Sequence, residues 1–257
     1  MLTAMSLQNP TMKTPKSPAA DAPRGRRNFL RQSIAIVPLS ALAACESRTG
    51  TPSAPQSAAL SAAPPSTAKP RFFTEEEWAF VRAACDRLIP EDETGPGALS
   101  LDVPVFIDRQ LEGEFGHAAR WYMQGPFFEA PATLGYQSKL TPRESYRLGI
   151  AAVDAHCKTH YGKRFADTSH EQQENVLFAL EGGKLTFEQV SGRDFFNFLL
   201  ENTREGYLAD PMYGGNRNMG SWKMIGFPGA RADYADWVSR HGEAYPLGPV
   251  SVEGQQG

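Results

Sequence analysis

The chain has 257 residues, which is compatible with one or two domains, with a formal net charge of −3 and a pI of about 6.0. This charge argues against a nucleic-acid partner, because neutralising a phosphate backbone needs a clustered basic surface. The three cysteines, Cys45, Cys85 and Cys157, form no CxxC or CxxCH motif, which argues against zinc ribbons, ferredoxin-type clusters, thioredoxin chemistry and c-type haem attached to this chain.

Residues 1–45 have the pattern of a bacterial export signal. The run Gly25–Arg31 (GRRNFLR) resembles the twin-arginine consensus Ser/Thr-Arg-Arg-x-Phe-Leu-Lys, and Arg26, Arg27, Phe29 and Leu30 carry the match. The apolar stretch behind it is shorter than the ~20 residues that a membrane-spanning helix needs. It is typical of the central region of a signal peptide, and it makes a basic arm for nucleic acid a poor alternative. We therefore predict export of a folded protein by the twin-arginine translocation (Tat) route.

Two ends of this signal are possible. The run Leu42–Cys45 has the form of a lipobox, which would place a lipidated Cys45 at the mature N-terminus, and the run Ala41–Ala43 has the form of an ordinary cleavage site. Residues 46–70 are rich in Ala, Pro, Ser and Thr and have no periodic apolar face, so we predict a disordered linker. A spacer behind a lipid anchor favours the lipoprotein, and the alternative is a disordered tail without an anchor.

Residues 71–257 are predicted to form one mainly α-helical domain with long loops. Capping boxes, proline at the first helical position and polar N-cap residues predict helix starts at Thr74, Asp102, Thr141, Ser169 and Ser191. Apolar residues recur behind each start at the spacing of one helix face. No stretch alternates long enough between apolar and polar residues to predict a sheet.

The longest predicted loop, 206–229, combines many glycines with large apolar side chains. Gly and Pro interrupt regular structure there, yet Tyr207, Tyr213, Trp222 and Phe227 are too apolar for a solvated loop. Either the segment packs on its own core or it contacts a partner, since aromatic residues and Met are enriched at interfaces. The four aromatic residues are therefore candidate partner contacts.

No catalytic or cofactor-binding set is recognisable in the sequence. GxGxxG, GxxxxGK[ST] and GxSxG motifs are missing. His156 and His160 stand four residues apart on the third predicted helix, a spacing that can hold a metal, but the sequence supplies no third ligand nearby. We assign no catalytic, cofactor-binding or metal-binding residue to this chain.

Cys85 and Cys157 lie on apolar helical stripes and leave three alternatives open. They could form a disulfide outside the cytoplasm. They could equally be two buried free thiols. One of them could also bridge to a partner chain.

Two stretches together resemble the gluconate 2-dehydrogenase subunit 3 family. The first, 86–108, is called the helix-end motif here; it runs from DRLIP through an acidic turn and a Pro-Gly-Ala step to VPVFID. The second, 210–229, is called the Gly-aromatic motif and contains DPMYGGN and WKMIGFPG. The resemblance covers about Phe72 to Gly229, and the residues from Ala230 onward match no pattern that we can name.

The resemblance implies a non-catalytic small (gamma) subunit of a membrane-bound complex of three subunits. A large subunit of the glucose–methanol–choline type holds FAD and oxidises gluconate or a related sugar or sugar acid. A cytochrome c subunit with several haems passes the electrons to quinone. The small subunit holds neither cofactor and supports maturation and export of the flavoprotein, which often lacks a signal of its own.

The expected partners are therefore the FAD subunit, the cytochrome c subunit and the Tat translocon, at the periplasmic face of the cytoplasmic membrane. One alternative is an independent exported lipoprotein that binds a small ligand or a metal around His156 and His160. A further alternative is an enzyme that acts alone.

Overall fold

The computed structural model describes residues 68–128 and 131–257. The predicted export signal, the lipidation candidate and most of the predicted linker lie outside the described residues. They comprise Arg26, Arg27, Phe29, Leu30, Cys45 and residues 46–67 of the linker.

Six α-helices occur in the described residues, joined by loops and short 3-10 turns. The helices are α1 (Glu75–Leu88), α2 (Val103–Glu112), α3 (Pro142–Tyr161), α4 (His170–Glu181), α5 (Gly192–Leu208) and α6 (Gly220–Ile225). The 3-10 turns are Ala132–Leu134, Phe165–Asp167, Pro211–Tyr213, Arg217–Met219 and Ala232–Trp237. Over the same residues β-pairing is limited to isolated bridges, so the prediction of a mainly α fold is confirmed. None of these helices is both long and apolar enough to cross a membrane.

The helices begin where local capping predicts. The Thr74 hydroxyl accepts from the Glu77 amide at 3.3 Å, and the Glu77 carboxylate accepts from the Thr74 amide at 2.9 Å. Reciprocal capping boxes of the same kind start α3 and α4, and a serine hydroxyl caps α5. Asp102 differs, because its backbone is left-handed with φ +56° and its side chain caps nothing. Its carboxylate instead lies 3.4 Å from the Arg217 guanidinium.

The core is built around α5, which packs against α2, α3 and α4. Phe195 of α5 lies against Gly149 of α3, where a Cβ atom would overlap the phenylalanine ring. Tyr146 is fully buried, and its hydroxyl donates to the Asn202 side-chain oxygen at 2.9 Å. Burial raises the pKa of the Tyr146 phenol well above its usual value. The side chain therefore stays neutral and serves as a fixed cross-link between α3 and α5.

Asp108 of α2 fastens the segment through which the chain enters the domain. This carboxylate is buried, and it accepts from the backbone amides of Arg71 at 2.7 Å, Phe72 at 3.0 Å and Phe73 at 3.1 Å. Three charge-assisted bonds to one side chain fix the residues directly before α1.

We expect Asp108→Ala to lower the free energy of unfolding by roughly 3 kcal/mol, because each buried amide left without a partner costs ~1–3 kcal/mol. Urea denaturation of the purified chain measures the change. The matched control is Glu112→Ala, which removes an exposed carboxylate 3.9 Å from Arg71 and should cost under about 1 kcal/mol. Similar losses in the two variants would contradict this role of Asp108.

Cys85 and Cys157 are both buried free thiols, so the disulfide alternative is wrong for this structure. Cys85 lies in the core against α5, with its sulfur 3.6 Å from the Thr203 hydroxyl. Burial raises the pKa of Cys85 to about 12 and that of Cys157 to about 11. Neither thiol is exposed on the described surface, which also argues against a bridge to a partner chain. The apolar stripes that carry these residues place each thiol inside the core.

Candidate partner interface

The helix-end motif and the Gly-aromatic motif are distant in the sequence but meet in space. Tyr207 lies three residues before the Gly-aromatic motif, and its hydroxyl donates to the Pro96 carbonyl of the helix-end motif at 2.7 Å. The Arg217 amide donates to the Leu101 carbonyl at 3.2 Å. The Met224 thioether fills the space beside Gly95, where a Cβ atom would overlap its sulfur. The two motifs therefore form one structural unit.

The helix-end motif supplies a tightly folded support for this unit. After α1 ends, the Ile89 carbonyl accepts from the Ala98 amide at 2.8 Å, and Asp92 and Gly95 exchange backbone hydrogen bonds. Gly97 lies so close to Glu91 that a Cβ atom would come within 2.6 Å of the Glu91 nitrogen. Glycine is needed here because any side chain would push the two backbone segments apart.

Asn216 holds the centre of the Gly-aromatic motif. This residue is buried and has a left-handed backbone with φ +46°, which Asn tolerates better than most residues. Its amide group donates to the Ala209 carbonyl at 2.9 Å, and its oxygen accepts from the Ser221 amide at 3.0 Å and the Ser221 hydroxyl at 2.8 Å. One side chain thereby ties the end of α5 to the start of α6.

Gly215 lets the segment pass directly over α5. A Cβ atom at this position would overlap the carbonyl oxygen of Gly206, so a larger residue would lift the segment from the helix. Gly214 beside it has φ +110°, a conformation that favours glycine. The glycines of DPMYGGN thus permit close packing in a turn.

Two of the four candidate contact residues face the interior of their own domain. Tyr207 and Trp222 are 7% and 6% exposed. The Trp222 indole donates to the Leu208 carbonyl at 2.8 Å, and burial raises the pKa of Tyr207. The interpretation that the segment packs on its own core therefore holds for these two side chains.

The other two candidates, Tyr213 and Phe227, face solvent and are 49% and 45% exposed. Four further large apolar side chains of the same segment are at least partly exposed, and the sequence analysis did not single them out. They are Leu208, Met212, Met224 and Ile225. We call residues 208–227 the docking loop. The apolar composition of the segment is the sequence feature that could have identified these six exposed residues as candidate contacts.

The exposed side chains of the docking loop are presented by a fixed backbone. Phe227 packs edge-on against Trp222 with ring centroids 5.0 Å apart, and its amide donates to the Trp222 carbonyl at 2.9 Å. Asp210 caps the 3-10 turn that carries Met212 and Tyr213, since its carboxylate accepts from the Met212 amide at 3.1 Å. Binding to such a surface costs little conformational entropy because the loop is already ordered. The arrangement is suited to contact with another protein surface.

His156 and His160, the candidate metal ligands, lie beside a groove of about 540 Å³. Their rings stack with centroids 4.0 Å apart, and a ring nitrogen of His160 is 2.9 Å from the His156 carbonyl. Burial, followed by the neighbouring His160, lowers the pKa of His156. No group of three His, Cys, Asp or Glu side chains suited to a metal is found within 68–128 and 131–257.

A second cavity, of about 490 Å³, lies away from both motifs. Its lining includes Trp121, Tyr122, Phe127 and Tyr136. Burial raises the pKa of Tyr136, whose hydroxyl donates to the Leu140 carbonyl at 2.8 Å. The described residues that line this cavity include no Asp, Glu, His, Lys, Arg or Cys.

Comparison with known protein families gives a match over the residues that contain both motifs. A protein-family model described as gluconate 2-dehydrogenase subunit 3 matches residues 75–229. The match starts with α1 and ends at Gly229, so it includes both motifs and leaves the C-terminal residues outside. Comparisons with curated proteins and with solved structures gave no match.

Proposed function

Because the chain belongs to the gluconate 2-dehydrogenase subunit 3 family, we propose that it is the non-catalytic small subunit of a membrane-bound, FAD-dependent dehydrogenase. Membership confirms the resemblance drawn from the two motifs and implies partner subunits in an oxidoreductase complex. In the proposed complex, the large subunit holds FAD and oxidises gluconate or a related sugar acid. A cytochrome c subunit passes the electrons to quinone.

The observation that carries this proposal is the docking loop. Six large apolar side chains of one short segment are at least partly exposed, although the backbone beneath them is held by Asn216, Trp222 and Asp210. Aromatic and Met side chains in such a setting are typical of the energetic centre of a protein–protein interface. The flavoprotein subunit is the proposed partner, and its contact surface should be apolar and complementary to Tyr213 and Phe227.

The proposed location is the periplasmic face of the cytoplasmic membrane. The support is the pair Arg26 and Arg27 with the apolar stretch behind them, and the lipobox that ends at Cys45. The Tat route transports folded proteins, so the small subunit can carry across the membrane a flavoprotein that is already loaded with FAD. Lipidation of Cys45 would then hold the assembled complex at the membrane surface.

Deletion of the gene tests this function directly. We expect the membrane fraction to lose gluconate-dependent reduction of an artificial electron acceptor and most of its protein-bound FAD. Expression of the wild-type chain should restore both. Immunoprecipitation of the chain from solubilised membranes should recover a flavoprotein and a haem protein. Unchanged activity, FAD content and flavoprotein export in the deletion strain would refute the proposal.

A further inference from the structure

The C-terminal segment lies outside the family match but packs on the docking loop. We call residues 247–257 the C-terminal strap. The Val250 carbonyl accepts from the Ala230 amide at 2.8 Å, and the Val250 amide donates to the Pro228 carbonyl at 3.1 Å. The strap folds back on itself as well, since the Gly257 amide donates to the Pro249 carbonyl at 2.9 Å. The end of the chain is therefore attached to the last residues of the Gly-aromatic motif.

The strap also supplies a hydrogen bond to the carboxylate that caps the docking turn. Asp210 is 9% exposed and uses both oxygens. One accepts from the Met212 amide at 3.1 Å, and the other accepts from the Val252 amide at 2.7 Å. A bond of 2.7 Å from an amide to a carboxylate is short and charge-assisted. Val252 and the turn that carries Met212 and Tyr213 are thus joined through a single side chain.

We infer that the C-terminal strap is a positioning element of the docking loop, which acts through the bond from the Val252 amide to Asp210. This bond orients the Asp210 carboxylate so that its other oxygen faces the Met212 amide. The turn is thereby held in the conformation that exposes Met212 and Tyr213. Where the inference concerns partner affinity, it rests on the proposed function.

The expected benefit is a docking loop that is ordered before the partner arrives. If the turn sampled other conformations, the apparent affinity would fall in proportion to the fraction of binding-competent chains. A preformed turn avoids that loss and the ordering cost of binding. The strap thereby contributes to partner binding through the docking loop.

The position of Val252 permits a variant without the amide donor. The Gly254 amide donates to the Ser251 carbonyl at 2.9 Å, so Val252 is the second residue of a β-turn. Proline is favoured at this position and has no amide hydrogen. Val252→Pro therefore removes the bond to Asp210, and its ring carbon displaces the Asp210 carboxylate, while the backbone conformation of proline suits the turn. Val252→Ala is the matched control, because it keeps the amide and trims a side chain that is 68% exposed.

Hydrogen exchange of the free, full chain provides the first test. With one charge-assisted bond lost, the Met212 amide should exchange about tenfold faster in Val252→Pro than in Val252→Ala or wild type. Amides of α3 around Ile150 should keep their rates. Equal rates at Met212 in the two variants would overturn the inference.

Faster exchange of the α3 amides would show that Val252→Pro disturbs folding. In that case Asp210→Asn provides the test instead. Asparagine still caps the turn through its oxygen, but its amide group cannot accept from Val252. The same acceleration at Met212 is expected, and an unchanged rate would again overturn the inference.

Titration with the purified flavoprotein subunit provides the second test. Wild type and Val252→Ala should bind equally, and Val252→Pro should bind about tenfold more weakly. Equal binding by the proline variant would overturn the positioning role. If wild type itself fails to bind, the proposed function is wrong, while the exchange experiment still decides whether the strap holds the loop.

Discussion

A chain that carries Tyr213→Asp together with Phe227→Asp is expected to fold normally and to bind the flavoprotein at least about 100-fold more weakly, since a central interface aromatic contributes ~2 kcal/mol or more. Both side chains are about half exposed, and although Phe227 loses its edge-on contact with Trp222, the bond from Trp222 to the Leu208 carbonyl remains. In the complex, each introduced carboxylate would have to leave water without gaining a partner. Titration of the purified flavoprotein with each chain measures the loss, and immunoprecipitation from membranes shows it in the cell.

Phe178→Asp is the matched control for this experiment. Phe178 lies on α4 outside the docking loop and is 61% exposed, so the same chemical change occurs at a surface with no proposed partner. We expect it to leave binding unchanged. An equal loss of flavoprotein from both chains, or from neither, would contradict the assignment of the docking loop.

Replacement of Arg26 and Arg27 by lysine is expected to leave most of the flavoprotein in the cytoplasm with its FAD bound. The physical reason is that a large subunit without its own signal can cross only while attached to a chain that the Tat translocon recognises. Cell fractionation, followed by measurement of the flavoprotein and its FAD in each fraction, checks this result. The paired arginines would then export a complex rather than one chain.

The matched control here is Arg31→Lys. The consensus itself has lysine at this position, so this variant should export the flavoprotein normally. Normal appearance of the flavoprotein outside the cytoplasm in the Arg26→Lys, Arg27→Lys variant would refute export of the complex by this signal.

Local chemistry made the helix starts predictable. Thr74, Thr141, Ser169 and Ser191 cap their helices with side chains only three residues from the amides they bind, so the sequence contains the whole interaction. The role of Asp102 could not be predicted in this way, because its carboxylate pairs with the remote Arg217.

The prediction for the N-terminal end of the longest loop was wrong. The predicted loop began at Gly206, but α5 continues to Leu208 and the short α6 lies within the segment. Gly206 does not end α5, because it packs against Phe106, where a Cβ atom would come within 2.7 Å of the ring. Helix α6 is too short for a periodic pattern and is attached through Ser221 and Trp222.

The candidate interface was predictable in composition but not in orientation. The sequence marked Tyr207, Tyr213, Trp222 and Phe227 together, and nothing in their spacing separates the inward pair from the outward pair. The difference arises from remote carbonyl groups at Pro96 and Leu208, which accept hydrogen bonds from the two buried rings. The C-terminal strap had no sequence signal, because its contacts are made mainly by backbone groups.

The two buried free thiols determine under which redox conditions the described domain can fold. The described domain contains no covalent cross-link, and Cys85 and Cys157 are protonated and shielded from oxidants. Folding of the described domain therefore requires no oxidising conditions. The same tertiary structure, including the docking loop, is available in a reducing compartment. Under the proposed function, the chain can therefore bind its partner before export.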